Sequence, residues 1–341
     1  MRLCEIHTQK AGPLGSQVFN FRDSWNSSVR QNVLFSGPNG CGKSTVLRIP
    51  ALLWNAFGHW LHARKPLPNR NRDREWLQRW EGVAVILEDL PYQAPPLVLV
   101  CGTPEFSDEL QRKYPNHVFI GEEDRSFIWS PSPWFDRFTD ARKRMLSTWE
   151  KEALPNVIFL DAEERRWVSP KRGLGEMKPD NLEQRWLSRY LVSEKWEGQL
   201  EASLLSLKAA DPERFFALLK NMNAFLTDKA ILPEVQLGQN RLRVRISNGG
   251  EVTHFLDDLS AGEHQVLIQL YIISRWLEPG GIVLIDEPDL FLHPSLISGF
   301  LAQLEKMVVD RHGQLIIPSH VPEVWDRYEA IGLRILLRAQ K

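Results

Sequence analysis

Cysteine is scarce in this sequence, and no long apolar run occurs in it. Cys4, Cys41 and Cys101 are its three thiols, and they are scattered. They form neither a disulfide framework nor a metal-ligand spacing, a usage that suits a reducing cytoplasm. No stretch is long and apolar enough to span a bilayer, and Met1-Arg2-Leu3-Cys4-Glu5 has no signal-peptide core. The expectation is therefore a cytoplasmic protein with no membrane partner. An excess of charge of one sign is also missing. The formal net charge is −1, which gives no bulk attraction to nucleic acid or membrane, although local basic patches remain open. Internal repeats and low-complexity segments are absent. What remains is a globular composition, 43% hydrophobic and 25% charged over 341 residues, enough for a substantial core in one large or two modest domains. The 13 tryptophans are expected mostly to fill that core.

The stretch that organises the chain is Gly37-Pro38-Asn39-Gly40-Cys41-Gly42-Lys43-Ser44-Thr45. Gly37, Gly42, Lys43 and Ser44 fit the phosphate-loop pattern G-x-x-x-x-G-K-S. Glycines let the backbone turn tightly, so that its N–H groups surround phosphate oxygens. The helix that follows adds its positive N-terminal end. Lys43 would reach the β- and γ-phosphates and the Ser44 hydroxyl would hold Mg²⁺. Asn39, Gly40 and Thr45 belong to the same expected cradle. The setting fits, because Val33-Leu34-Phe35 reads as a strand and Thr45 to Trp60 as a helix ending near Ala63.

Along the chain, Arg2 to His7 and Gln17 to Phe21 read as strands around a turn at residues 11–15, and Val29 to Phe35 leads into the loop. Residues 64–74, rich in proline and arginine, read as a loop that is either solvated surface or a phosphate-backbone contact. Gly82 to Leu87 and Leu97 to Cys101 are strands, with His117 to Ile120 and Ser126 to Trp129 extending their sheet. Residues 134–152 look helical. Asn156 to Leu160 is a strand ending in Asp161-Ala162-Glu163-Glu164-Arg165-Arg166, which is either a strand entering solvent or the edge of a nucleotide site. Ser169 to Asp180 reads as a loop. Asn181 to Leu207 and Pro212 to Leu226 are helix-like. Leu242 to Ile246 and Val252 to Leu256 are strands around an Asn248-Gly249 turn. Ala261 to Leu277, Pro294 to Val309 and Pro322 to Tyr328 read as helices. Between and after them, Ile282 to Ile285, Leu315 to Ile317 and Leu333 to Leu337 read as strands. That alternation indicates an α/β sheet.

Three further pieces carry chemistry. In Ile282-Val283-Leu284-Ile285-Asp286-Glu287-Pro288 a buried strand ends in two carboxylates. Asp286 would reach Mg²⁺, and Glu287, one residue further out, would polarise a water aimed at the γ-phosphate. In Leu259-Ser260-Ala261-Gly262-Glu263, Ser260 is a good N-cap, and Gly262 lets a ligand approach the start of the helix. His320, after the strand Leu315 to Ile317, is either an ordinary loop histidine or an imidazole that hydrogen-bonds a γ-phosphate. Together these resemble the ATP-binding-cassette (ABC) ATPases. Gly37–Ser44 is similar to their Walker A motif, Leu259–Glu263 to the signature motif, Ile282–Glu287 to Walker B with its catalytic glutamate, and His320 to the switch histidine. The match covers roughly residues 17–60 and 241–338.

Within that superfamily the sequence resembles the SMC-like and overcoming-lysogenization-defect group more than the transporters. Glu287-Pro288-Asp289-Leu290-Phe291-Leu292-His293-Pro294 is similar to the group's E-P-E-x-x-L-H-P segment, with Asp289 in place of glutamate. The resemblance implies an ABC-type P-loop NTPase of α/β class, with a mixed β-sheet core and a compact, partly helical insertion. Residues 1–341 would form a single ATPase domain, with 64–240 as a lobe inserted between Walker A and the signature. The interval has no heptad pattern and no C-x-x-C hook, so no long coiled-coil arm is expected. Gln93 is the one candidate for the glutamine loop, and no adenine-stacking residue is evident. The implied site has Glu287 and His320 as catalytic residues. Gly37, Asn39, Gly40, Gly42, Lys43, Ser44, Thr45, Ser260 and Gly262 would bind ATP, and Ser44 and Asp286 would hold Mg²⁺. The implied cycle is ATP hydrolysis in a nucleotide-sandwich homodimer or higher oligomer. Only the 21 residues 321–341 follow His320, too few for the Toprim nuclease of the overcoming-lysogenization-defect proteins. A separately encoded effector, a nuclease or toxin, is therefore expected, with nucleic acid as a second partner class. Trp76 and Trp80, and Trp134 and Phe135 beside Arg142-Lys143-Arg144, are either anchors of such a surface or buried core. Bacterial anti-phage defence is the first setting and DNA repair the second. Two other readings are a transporter's motor subunit, disfavoured by the segment after Glu287, and an ATP-binding scaffold without turnover, disfavoured by the intact Asp286-Glu287 pair.

Overall fold

The computed structural model describes residues 1–124, 126–148, 154–169, 181–195, 199–235, 241–247 and 252–338. Strands β1 (Arg2–Gln9) and β2 (Gln17–Asn20) form a hairpin, and β3 (Asn32–Ser36) runs into the glycine-rich loop. Then come α1 (Lys43–Ala63), α2 (Arg72–Leu77), β4 (Gly82–Glu88), β5 (Leu97–Gly102), α3 (Pro104–Lys113), β6 (Val118–Glu123), β7 (Ser126–Trp129) and α4 (Pro133–Ser147). The second half holds β8 (Val157–Leu160), β9 (Leu187–Arg189), α5 (Leu200–Ala210), α6 (Pro212–Asn223), β10 (Lys229–Ile231), β11 (Arg243–Ile246) and β12 (Thr253–Phe255). It ends with α7 (Ala261–Trp276), β13 (Ile282–Ile285), α8 (Pro294–Val309), β14 (Gln314–Pro318), α9 (Pro322–Ile331) and β15 (Leu333–Leu336).

Two six-stranded sheets organise these elements. One has the order β15-β3-β14-β13-β8-β9, and every neighbouring pair in it is parallel. Strands β13 and β8 within it are wholly apolar, as burial on both faces requires. The other, β2-β1-β4-β5-β6-β7, is antiparallel except where β5 meets β6. A small antiparallel sheet, β10-β11-β12, stands apart from both. Helix α1 lies between the large sheets, packing on β4, β5 and β6 on one side and on β8, β13 and β14 on the other. Its apolar residues on opposite faces, among them Val46, Leu53, Trp54, Phe57 and Trp60, therefore join one core. The far face of the parallel sheet is covered by α5 to α9 in a second core. Helix α3 covers the outer face of the antiparallel sheet with Phe106 and Leu110.

Several expectations are corrected. The span Asn181 to Leu207 is not one helix: Leu187 to Arg189 pair with β8 as a strand, and the helix begins only at Leu200. Pairing to an existing sheet edge outweighs the helical propensity of that segment. The basic loop is shorter than expected, because Asn71 caps α2 by accepting from the N–H groups of Asp73 and Arg74. Helix α3 was not expected at all, although Thr103 caps it and Pro104 opens it. Trp134 and Phe135 are buried core residues, not exposed anchors. Trp76 and Trp80 are half-buried against the same core. The stretch 64–240 supplies β4 to β7 to one large sheet and β8 and β9 to the other. The Asn248-Gly249 turn, residues 149–152 of the expected helix and all of the loop 169–180 but Ser169 lie outside the described residues.

Candidate nucleotide site

Because the parallel sheet points all its strands one way, the loops after β3, β13, β14 and β8 emerge at a single edge. Ligands of α/β sheets bind at such an edge. The glycine-rich loop leaves β3 there. Gly42 has φ 98°, and a Cβ on it would lie 2.5 Å from Leu14 Cδ2. Only glycine takes this left-handed turn and lets the loop settle on the turn at residues 11–15. Helix α1 starts at Lys43, with its N-terminal end facing the loop. Lys43 Nζ curls back over the loop and donates to Gly37 O at 3.1 Å and Pro38 O at 2.9 Å.

Pro13, Asn39, Gly40, Gly42, Lys43, Ser44, Thr45, Glu287 and His320 line one cleft of about 350 Å³. Gly37 sits at the loop's base against Leu337 O and Cys41. Residues Ile285 and Leu160 are in register, so Asp286 and Asp161 leave neighbouring strands side by side. Burial pushes the Asp286 carboxyl up to about 6; the negative charges of Asp161 and Glu287 add to the rise, while a Ser44 hydrogen bond and Arg165 oppose it. Asp286 Oδ1 is buried without a hydrogen-bond partner. A lone buried carboxylate oxygen beside the Ser44 hydroxyl and among further carboxylates is what a bound divalent cation would satisfy, so Ser44 and Asp286 fit Mg²⁺. Glu287 has φ 46°, a left-handed conformation for a non-glycine residue. Its Oε1 lies 3.5 Å from His320 Nε2. His320 is held there because Ser319 is pinned on both sides: its N–H donates to Phe35 O and its carbonyl accepts from Trp325 Nε1.

Ser260 and Gly262 do not join this cleft. Ser260 is exposed at the start of α7 in a reciprocal cap. Its hydroxyl accepts from Glu263 N–H at 3.3 Å, and its own N–H donates to the Glu263 carboxylate at 2.7 Å. Lys229 Nζ holds the same carboxylate at 2.9 Å. A Cβ on Gly262 would lie 2.6 Å from Phe291 O of the same chain. The glycine thus serves close packing within the subunit. Gln93 is exposed in the loop after β4, whose end pairs with Arg2, far along the sheet from the turn at 11–15, so it is not brought to the cleft. Sequence reasoning missed Pro13, visible only as part of a turn cluster. It weighed Asp161 and found it ambiguous; the structure buries it and pairs it with Arg48 of α1. Among the described residues no cluster of three or more His, Cys, Asp or Glu side chains forms a metal cage.

A family model described as "AAA domain, putative AbiEii toxin, Type IV TA system" matches residues 103–326. The chain belongs to this AAA-domain family. Its phosphate loop and its strand ending in Asp286-Glu287 resemble those of the SMC-like, ABC-type P-loop ATPases. The Escherichia coli protein "Retron Ec83 probable ATPase" is 22% identical over 407 residues, covering 100% of this chain and 72% of that protein. "Protein ea59" of Escherichia phage lambda is 27% identical over 154 residues, 44% of this chain and 26% of that protein. Two solved SMC heads overlap this AAA-domain chain loosely. One, bound to the C-winged helix domain of ScpA, has a TM-score of 0.47 at 12% identity, covering 94% of this chain and 91% of its own. The other, from Thermotoga maritima, has a TM-score of 0.44 at 16% identity, covering 98% and 94%. The fold itself is evident from the parallel strand order and the loop that leaves β3. Among the described residues no helix is long and apolar enough to cross a membrane.

Proposed function

We propose that this chain is an ABC-type ATPase that hydrolyses ATP between two copies of itself and passes the resulting movement to a separately encoded effector. One observation carries this: the phosphate-loop residues, the Glu287 carboxylate and the His320 imidazole face one another across a single cleft. Residues 1–341 then act as a single ATPase domain. The elements of 64–240 outside the two large sheets, notably α5, α6 and β10, serve as its inserted lobe. Gly37, Asn39, Gly40, Gly42 and Thr45 cradle the phosphates of ATP with backbone N–H groups. Lys43 exchanges the loop carbonyls of Gly37 and Pro38 for β- and γ-phosphate oxygens. Ser44 and Asp286 hold Mg²⁺, which when bound neutralises charge on those oxygens. Glu287 accepts a proton from the attacking water, and His320, in contact with that carboxylate, hydrogen-bonds the γ-phosphate.

Each chain holds half a site by this reading. Ser260 and Gly262 are at the exposed start of α7, outside their own cleft, where a second copy arranged head to tail would bring its phosphates. Phe291, itself exposed, lays its main-chain oxygen against Gly262 at that helix start. The family description names a toxin of a type IV system, and the Escherichia coli relative is described as an ATPase of a retron. Both support a chain that works with a nuclease or toxin partner in anti-phage defence, inside the cytoplasm. The exposed Lys65, Arg70 and Arg72 support nucleic acid as a further contact. Glu287→Gln tests the reading: phosphate release should fall about 100-fold or more while ATP affinity persists. Light scattering should show the variant dimerising with Mg-ATP. Near-normal turnover in this variant would sink the role of Glu287.

A further inference from the structure

Arg165 lies just past β8, is 1% exposed, and has no part in the steps above. Its Nε donates to Gln265 Oε1 at 2.9 Å, and its Nη2 donates to the main-chain oxygen of Glu287 at 2.9 Å. Gln265 returns a bond from its side-chain amide to the main-chain oxygen of Arg165. Two residues on, Trp167 lies flat on His264 of the same helix turn, with ring centroids 4.3 Å apart and planes 8° apart. A guanidinium this deeply buried is costly to desolvate, and Asp286, Asp161, Glu287 and Asp289 all act on its charge. Simple packing would not need an arginine here.

The same face of α7 follows the backbone beyond Glu287. Gly262, Gln265 and Gln269 share a stripe at i, i+3 and i+7. Gly262 abuts Phe291 O, Gln265 reaches Glu287 O through Arg165, and Gln269 Nε2 donates to Pro288 O at 3.1 Å. Glu287 needs this support because its left-handed backbone is unfavourable for a residue with a Cβ.

We propose that Arg165 is a positioning residue that clamps the backbone of Glu287 to the first turns of α7. The helix that carries Ser260 and the carboxylate that faces the cleft then move as one body. A ligand or second subunit engaging Ser260 would thereby set the aim of Glu287. The inference rests on the ATPase reading for its catalytic consequence, but the clamp itself can be tested without nucleotide.

The variants are Arg165→Met, Arg165→Lys and Gln265→Leu, made in the full chain. The first readout is amide hydrogen exchange at Leu290, whose N–H donates to Glu287 O at 3.1 Å, measured without nucleotide. Arg165→Met should speed exchange there at least about tenfold. The second readout is steady-state ATP hydrolysis. In Arg165→Met kcat should fall about 100-fold with KM nearly unchanged, because a misaimed base loses rate and not binding. Arg165→Lys should be intermediate, since one ammonium cannot reproduce the two-pronged grip. Gln265→Leu should lower kcat while leaving the bond to Glu287. If the Met variant does not fold, the Lys and Leu variants decide. Wild-type exchange at Leu290 in the Met or Lys variant, faster exchange there with unchanged kcat, or an unchanged kcat in the Leu variant, overturns the proposal. A wild-type chain that hydrolyses no ATP would sink the ATPase reading, while the exchange result would still judge the clamp.

Discussion

The two large sheets flank the same helix, yet only one carries the site. In the parallel sheet every strand ends at the same edge, so residues scattered from Gly37 to His320 meet there. In the mostly antiparallel sheet neighbouring strands end at opposite edges except at β5 and β6, and it contributes to the cleft only Pro13, from a turn. The comparison teaches that strand direction, more than strand composition, decides where chemistry collects. Both sheets have apolar centres, and both pack on α1. The parallel sheet brings Asp161 and Glu287 close enough to the buried Asp286 carboxyl to add to its raised pKa. The antiparallel sheet supplies a wall.

Substitutions at the edge of the parallel sheet should therefore change nucleotide handling, and substitutions in the wall should change stability. The largest effect is expected from Lys43→Ala. It removes the charged donor of the loop, and ATP affinity should fall about 100-fold or more in a fluorescent-nucleotide titration, with little change in melting temperature. Unaltered affinity would break the comparison at its centre. Next is Ser260→Arg, at the start of α7 and away from both sheets. It should leave ATP affinity of the single chain intact, yet lower turnover at least about tenfold and block the Mg-ATP-dependent dimer. Normal hydrolysis by that variant alone would show that the site is complete within one chain. The smallest effect on nucleotide is expected from Phe106→Ala in the wall. Phe106 is buried between α3 and Gly82, so its loss should cost about 3 kcal/mol in urea unfolding while ATP affinity stays at the wild-type value. A clear loss of affinity there would show that the antiparallel sheet does more than support.

The sequence by itself determined the local pieces of this AAA-domain chain. The phosphate loop, the capped start of α7 and the strand ending in Asp286-Glu287 each depend on neighbours a few residues away, through glycine geometry, side-chain capping and apolar patterning. His320 was legible for the same reason, at the end of a short apolar strand. Only the tertiary structure decided which distant strands lie side by side. The pairing of β8 with β13 joins residues more than a hundred positions apart, and no local pattern encodes that register. It placed Asp161 beside Asp286 and Arg165 beneath Glu287. It also turned Leu187–Arg189, in a stretch with helical spacing, into an edge strand. The antiparallel pairing of β4 with β1 carried Gln93 to the wrong end of its sheet, and core packing buried Trp134 and Phe135. Short-range forces write their signature along the chain, whereas pairing and burial depend on partners that the chain reaches only by folding.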